Sequence, residues 1–304
     1  MRHFLTIPDL AVAELKSVLT RAKALKKTRQ KNLSLLSGKT VALVFQKPSM
    51  RTRVAFEVAV LELGGRVVYL DQEDIQLGRR EPVKDVARVL SRYVHGIVLR
   101  TFEHSNAEEF ARHSTAPVIN GLSDAVHPCQ VLADVMTIEE AFGRLSGLKL
   151  GYIGDGNNVL HSLVELCARM GINVSVASPK GYEPDPAIWR AALKEAKKHG
   201  SSLELGVNPK LAAKGADILY TDVWVSMGQE QQRNARLKTF EGYQINKELL
   251  KLAKPGCRVL HCLPAHRGEE ITEDVLESPQ SLVIEQAENR LHAHKALLEF
   301  LFKK

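Results

Sequence analysis

Short apolar runs alternate with amphipathic stretches along nearly the whole chain, and no other feature narrows the possible folds so far. Strands are expected over residues 41–45, 66–70, 96–99, 116–119, 148–153, 172–177, 218–220 and 258–261. Helical periodicity marks 8–30, 54–63, 82–93, 105–113, 127–140, 159–170, 184–199, 246–253 and 286–302, where apolar residues recur every three or four positions. In the first of these, Leu10, Val12, Leu15, Val18, Leu19 and Ala22 fall on one side. Strand and helix taken in turn argue for open α/β sheets, mostly parallel. Gly143 and Gly147 interrupt the pattern. The expected architecture is therefore two open α/β domains that meet near those glycines.

Composition agrees with a globular chain of that size. Its 304 residues are 44% hydrophobic and 25% charged, enough for one large or two ordinary domains. No apolar run approaches membrane length, and no basic-then-apolar leader precedes the first helix. Cys129, Cys167, Cys257 and Cys262 show neither metal-ligand spacing nor a disulfide framework. A reduced, cytoplasmic setting is expected, although a chain cut from a longer precursor would look the same. The net charge of +7 is spread along the chain except for a basic cluster at 21–31. On a helix such a cluster reads as a solvated face before it reads as a nucleic-acid surface. A basic balance also suits an enzyme that attracts anionic substrates.

Ser49, Arg100, Asn158, Asp222 and Cys262 each fall at or just beyond the C-terminal end of an expected strand. Ligands bind along that edge of open parallel sheets, so residues scattered in sequence can line one cleft. Around Ser49, residues 45–53 put two hydroxyls and two guanidinium groups, Ser49, Arg51, Thr52 and Arg53, at a helix start. The free N–H groups of a first turn suit an oxyanion, and arginine forks suit phosphate or carboxylate. A plain reading stands beside this one, with Ser49 a simple cap and both arginines in water. His127, Pro128, Cys129 and Gln130 open another helix. There a histidine can donate to a carbonyl oxygen, and Gln130 sits one turn on; a helix-entry role is the alternative. Asp222 with Ser226, Met227 and Gly228 offers a carboxylate and a flexible loop for an ammonium group, or simply a surface loop. Asn157 and Asn158 either present amides to a carboxylate or cap a helix. Cys262 follows a strand, as buried structural thiols often do. Gly154, Asp155 and Gly156 lack the third glycine of a dinucleotide fingerprint, which argues against a nicotinamide dehydrogenase. No metal set is evident, and no cofactor is expected. The inventory points to group transfer supported by electrostatics and positioning.

Together, segments 45–53, 99–101, 127–130, 154–158, Asp222 with 226–228, 261–264 and 288–290 resemble the aspartate/ornithine carbamoyltransferase family, in family order over nearly the entire chain. The resemblance implies two three-layer α/β/α domains. Residues 1–145, completed by a C-terminal helix (286–304) that packs back on them, would bind carbamoyl phosphate. Residues 146–285 would bind ornithine. It assigns carbamoyl phosphate to Ser49, Met50, Arg51, Thr52, Arg100, His127, Pro128, Cys129, Gln130, Arg290 and the backbone of Cys262 and Leu263. Gln76, in the loop 71–81, matches a position that reaches a neighbouring subunit's site in family trimers. Ornithine falls to Asn158, Asp222, Ser226 and Met227, with Cys262 beside its δ-amine as an orienting group rather than a covalent nucleophile. Thr52, Arg100 and His127 would stabilise the carbonyl oxygen, and Arg51 the leaving phosphate. The implied product is citrulline, in arginine synthesis or a urea-cycle-type step. The Ser-Met-Gly segment separates ornithine-using members from aspartate-using ones; N-acetylornithine, putrescine and aspartate stand as the alternative acceptors within the family. Met50 departs from the commoner threonine, harmlessly if the position supplies a backbone N–H. Partners would be the two substrates and a homotrimer or a multiple of it, with no nucleic acid and no membrane. Closure of the domains, with 224–243 as a lid, is expected on binding.

Overall fold

The computed structural model describes residues 2–28, 33–78 and 80–303. The ends of the expected helix 8–30 and of the basic cluster 21–31, and Arg79 in the loop 71–81, lie outside them. The chain divides into two compact units, 1–136 with 288–304 and 137–287.

In the first unit β1 (Thr40–Phe45), β2 (Arg66–Leu70), β3 (Gly96–Arg100) and β4 (Val118–Leu122) form one sheet in the order β2-β1-β3-β4. Every pairing is parallel. β1 and β3 lie in the middle and are buried over almost their whole length, which is why their sequences are continuous apolar runs. β4 begins later than its apolar run suggested. Asn120 belongs to it because Nδ2 donates to Leu5 O at 3.0 Å and its N–H to Phe4 O at 2.8 Å. Helices Met50–Glu62, Val83–Tyr93 and His104–His113 connect the strands in turn. Helix Val12–Lys27 buries Leu15, Val18, Leu19, Ala22 and Leu25.

The last helix, Val283–Phe302, belongs to this unit from Glu288 onward. Buried Lys295 donates to Glu62 at 2.7 Å, and Arg21 to Glu299 at 2.7 Å. His294 stacks on Phe56 with centroids 3.8 Å apart and planes 7° from parallel. At Gly96 an added Cβ would lie 2.5 Å from Phe302 Cζ, so the residue is glycine where the helix end meets β3. Removing Glu62 would take a carboxylate from a buried ammonium, which costs more than the loss of a surface pair.

In the second unit β5 (Lys149–Ile153), β6 (Asn173–Ala177), β7 (Leu203–Gly206), β8 (Ile218–Thr221) and β9 (Arg258–His261) form a parallel sheet in the order β7-β6-β5-β8-β9. β7 was not among the expected strands. It is an edge strand with one buried residue, Leu203, and so it lacks the apolar run that marks the others. Helices Asn158–Met170 and Pro186–His199 follow β5 and β6. The polar stretch 224–243 contains a 3-10 turn at Glu230–Gln232 and the helix Arg233–Thr239, where no element was expected. Each sheet reverses its winding once, between β1 and β3 and between β5 and β8. A crevice forms at such a point, outside the carboxyl ends of the strands.

Candidate active site

In the first unit the chain leaves β1 at Phe45 and re-enters helix at Met50 through Ser49, whose Oγ accepts from Thr52 N at 3.3 Å. Ser49 therefore caps the helix, and the first-turn N–H groups of that helix lie at the switch point of the sheet. Thr52 is fully buried. Its Oγ1 accepts from Arg100 Nη1, at the end of β3, at 3.5 Å and from Arg290 Nη2, on the C-terminal helix, at closer range. Residues far apart in sequence thus meet at one hydroxyl. His127 joins them: burial, then the fields of Arg290, Arg100 and His294, hold its imidazole well below the usual histidine range. At neutral pH it is an uncharged ring that can donate one N–H.

Gln130 follows on the helix Pro128–Phe142. Its Nε2 donates to Asp134 Oδ1 at 2.8 Å. Its Oε1 is buried with no hydrogen-bond partner among the described residues. A carboxylate fixes which way the amide faces, so an acceptor is left for a ligand N–H. Cys129 donates to Asn120 O at 3.3 Å, and burial pushes its thiol up to about 12. That sulfur is inert at neutral pH. Met50 is 69% exposed, so what it can offer the helix start is its N–H. Gln76 is exposed, has a left-handed backbone (φ 37°), and makes no hydrogen bond to this cluster among the described residues. Its loop is tied by Gln46, which donates to Leu77 O at 3.1 Å and accepts from Thr101 Oγ1. Two other cations of the 45–53 motif are engaged elsewhere. Lys47 pairs with Asp124 and lies 4.4 Å from the Phe102 ring, and Arg53 stacks on Tyr69.

In the second unit Asp222, just past β8, is 5% exposed. Its Oδ1 accepts from Cys262 Sγ at 2.8 Å and Val223 N at 2.8 Å, and its Oδ2 from Asn157 Nδ2 at 2.7 Å. The same asparagine caps the helix Asn158–Met170 through Val159 N and Leu160 N. Asn157 is therefore the capping residue, and Asn158 begins the helix. Ser226 and Met227 lie in a tight turn: Gln229 N donates to Ser226 O at 3.0 Å, and Gly228 has φ 93°. Arg236 anchors this segment and was missed in the sequence. Its Nη1 donates to Asp155 Oδ2 and to Trp224 O, both at 2.8 Å. Burial pushes the Asp155 carboxyl up to about 6 against the pull of Arg236. In a loop rich in charge no signal distinguishes the one arginine that turns inward.

Gly154 and Gly156 frame that carboxylate. A Cβ on Gly156 would lie 2.3 Å from the backbone of Glu183 and Pro184, so the position is glycine for packing. Gly156→Ala is expected to destabilise the protein by about 1–3 kcal/mol or more, read from the urea midpoint of unfolding. Cys262 and Leu263 follow β9. Asp222, His261 and Cys262 present ligand atoms within 4.8 Å of one another, but both ring nitrogens of His261 are already hydrogen-bonded.

Two switch-point sheets, one ending in buried arginines and a neutral histidine, the other in a buried carboxylate beside a thiol, define a two-domain α/β protein of the group-transferring kind. The chain belongs to the aspartate/ornithine carbamoyltransferase family. The description of that family's carbamoyl-P binding domain matches residues 2–140, and that of its Asp/Orn binding domain matches 146–301. The ornithine carbamoyltransferase of Acidothermus cellulolyticus is 54% identical over 301 residues, covering 99% of this chain and 96% of that protein. Among solved structures, the ornithine carbamoyltransferase of Pyrococcus furiosus superposes with a TM-score of 0.96 at 51% identity, covering 99% and 97% of the two chains. That of Gloeobacter violaceus gives 0.91 at 49%, covering 100% and 99%.

Proposed function

We propose that the protein transfers the carbamoyl group of carbamoyl phosphate to the δ-amine of L-ornithine, giving L-citrulline and phosphate. The observation that carries this reading is the meeting of Arg100 and Arg290 at the Thr52 hydroxyl, with neutral His127 in their field, in a chain 54% identical to a named ornithine carbamoyltransferase. Carbamoyl phosphate binds through the helix start at Ser49, Met50, Arg51 and Thr52, with Arg51 and Arg290 on the phosphate. Arg100, Thr52 and His127 take the carbonyl oxygen, and Gln130 Oε1 accepts from the carbamoyl amide. Pro128 and Cys129 contribute backbone only. The amine forms the new C–N bond as the C–O bond to phosphate breaks. A free δ-amine has a pKa of about 10.4, so the unprotonated minority reacts, and the departing phosphate takes the proton.

Asp222 holds the α-ammonium of ornithine, Asn158 its carboxylate, and Ser226 and Met227 close over it. Cys262 orients the amine. Cys262→Ala is expected to keep more than about a hundredth of normal turnover, since the loss of one orienting contact is milder than the loss of a nucleophile; a trapped carbamoyl-enzyme would contradict this role. The reading as a whole is tested by assaying carbamoyl transfer to L-ornithine, N-acetylornithine, putrescine and L-aspartate in parallel. Ornithine should be used with the highest kcat/KM, and preference for another amine would overturn the assignment. Support for the biosynthetic direction comes from relatives named anabolic in Pyrococcus furiosus and Campylobacter jejuni. A cytoplasmic location is part of the proposal, supported by four cysteines that stand as thiols. No helix among the described residues is long and apolar enough to cross a membrane.

The active form is proposed to be a homotrimer or a multiple of it, with Gln76 completing a neighbour's site. Met50, Val54 and Leu61 are exposed apolar residues of one helix, and Val68 is exposed on edge strand β2. Exposed apolar residues on an edge strand and the helix that follows its neighbour are the kind of surface that association would cover. Mixing Gln76→Ala and Arg100→Ala subunits after dissociation is expected to recover activity that neither variant has alone. Failure to recover it would place Gln76 outside the neighbour's site.

A further inference from the structure

Two fully buried ionisable side chains, His261 and Glu270, have no part in the reaction as proposed. We infer that His261, held by Glu270, is a positioning residue that sets the turn at 262–263 against Asp222 and so governs affinity for the amine; the inference rests on the proposed transfer to ornithine.

The geometry runs outward from the ring. His261 ends β9, and its N–H donates to Gln286 Oε1 at 2.9 Å, so the backbone there is fixed. Its Nδ1 accepts from Leu263 N at 2.9 Å. A nitrogen that accepts carries no hydrogen, so the ring hydrogen sits on Nε2. There it meets Glu270 Oε1 at 3.0 Å, and that oxygen also accepts from His266 N at 2.6 Å. One carboxylate thus orients the ring and ties it to the chain beyond the turn. Leu263 has φ 56°, a left-handed conformation that leucine rarely adopts and that persists only where its surroundings over-determine it. The bond from its N–H to the His261 ring supplies that constraint. Between these two pinned residues Cys262 has its Sγ 2.8 Å from Asp222 Oδ1.

The test compares two variants of the full chain. In His261→Asn the Oδ1 falls near the Nδ1 position and can still accept from Leu263. In His261→Gln the longer amide reaches toward Glu270 and leaves that acceptor empty. The Gln variant is expected to lose about tenfold or more in kcat/KM for ornithine. Its Cys262, partly exposed where the other three cysteines are buried, is expected to be alkylated faster by iodoacetamide, followed by peptide mass spectrometry. The Asn variant should stay near wild type in both readouts. Equal losses in the two variants, or no change in either, would overturn the inference. Should His261→Gln fail to fold, Glu270→Ala serves instead. It should reproduce both changes, with Glu270→Gln restoring wild-type behaviour through its retained oxygen; parity between these two overturns the inference as well. Alkylation needs no turnover. A wild-type chain that makes no citrulline would therefore sink the proposed reaction while the thiol comparison still judged His261.

Discussion

Arg100→Ala is expected to lower citrulline formation by about 100- to 1000-fold or more at saturating carbamoyl phosphate, the usual consequence of removing one donor from a developing oxyanion. The side chain is 5% exposed and its Nη1 reaches Thr52 Oγ1 at 3.5 Å, so water cannot readily take its place. Two further effects add to the loss. The positive field of Arg100 helps hold His127 uncharged, and its removal weakens that hold. Lysine does not rescue the site, because a point charge lacks the planar fork. Arg51→Ala, on the leaving phosphate, should fall in the same range. Steady-state rates at saturating carbamoyl phosphate check both, and near-normal turnover in either would remove that arginine from the proposed mechanism.

Asp222→Asn is expected to act on the other substrate. Hydrogen bonds to charged groups are worth about 1.5–3 kcal/mol, which corresponds to roughly 10- to 150-fold in kcat/KM for ornithine. The substitution removes the charge that an α-ammonium would meet, and it also disturbs the donors around the carboxylate. Cys262 Sγ, Val223 N and Asn157 Nδ2 all point hydrogens at Asp222. An amide must turn its own NH₂ toward one of them. Asn157 cannot flip to accommodate it, because its Oδ1 caps the following helix. The KM for carbamoyl phosphate should stay where it was. An unchanged ornithine dependence would take Asp222 out of the ornithine site.

Much of the architecture was legible because parallel strands covered on both faces must be continuously apolar, as β1 and β3 are. β7 was not, since an edge strand with a single buried residue carries no such signature. Thr52, Arg100, His127 and Arg290 were legible as a set only through the family resemblance; residue by residue, each had an ordinary alternative. The structure brings Arg100 and Arg290 to the Thr52 hydroxyl, with the His127 ring in the field of both. Next door, it decides which of the two asparagines caps the helix: Asn157, which also donates to Asp222. Arg236 and Lys47 illustrate what stays hidden. Each is one cation among many in a polar stretch, and only the fold decides that one buries itself against Asp155 and the other against Asp124.

The amino-acid sequence alone determined the alternation of strand and helix, the chemistry available at the strand ends, and the family to which that order of motifs is similar. Those are local properties, set by side-chain periodicity, capping and the types of residue present. Tertiary structure decided which strand ends became neighbours, which nitrogen of His261 carries the hydrogen, and which arginines meet Thr52. The physical reason is range. A hydrogen bond between Arg290 and Thr52 depends on burial and sheet order across most of the chain, and no window of sequence contains either.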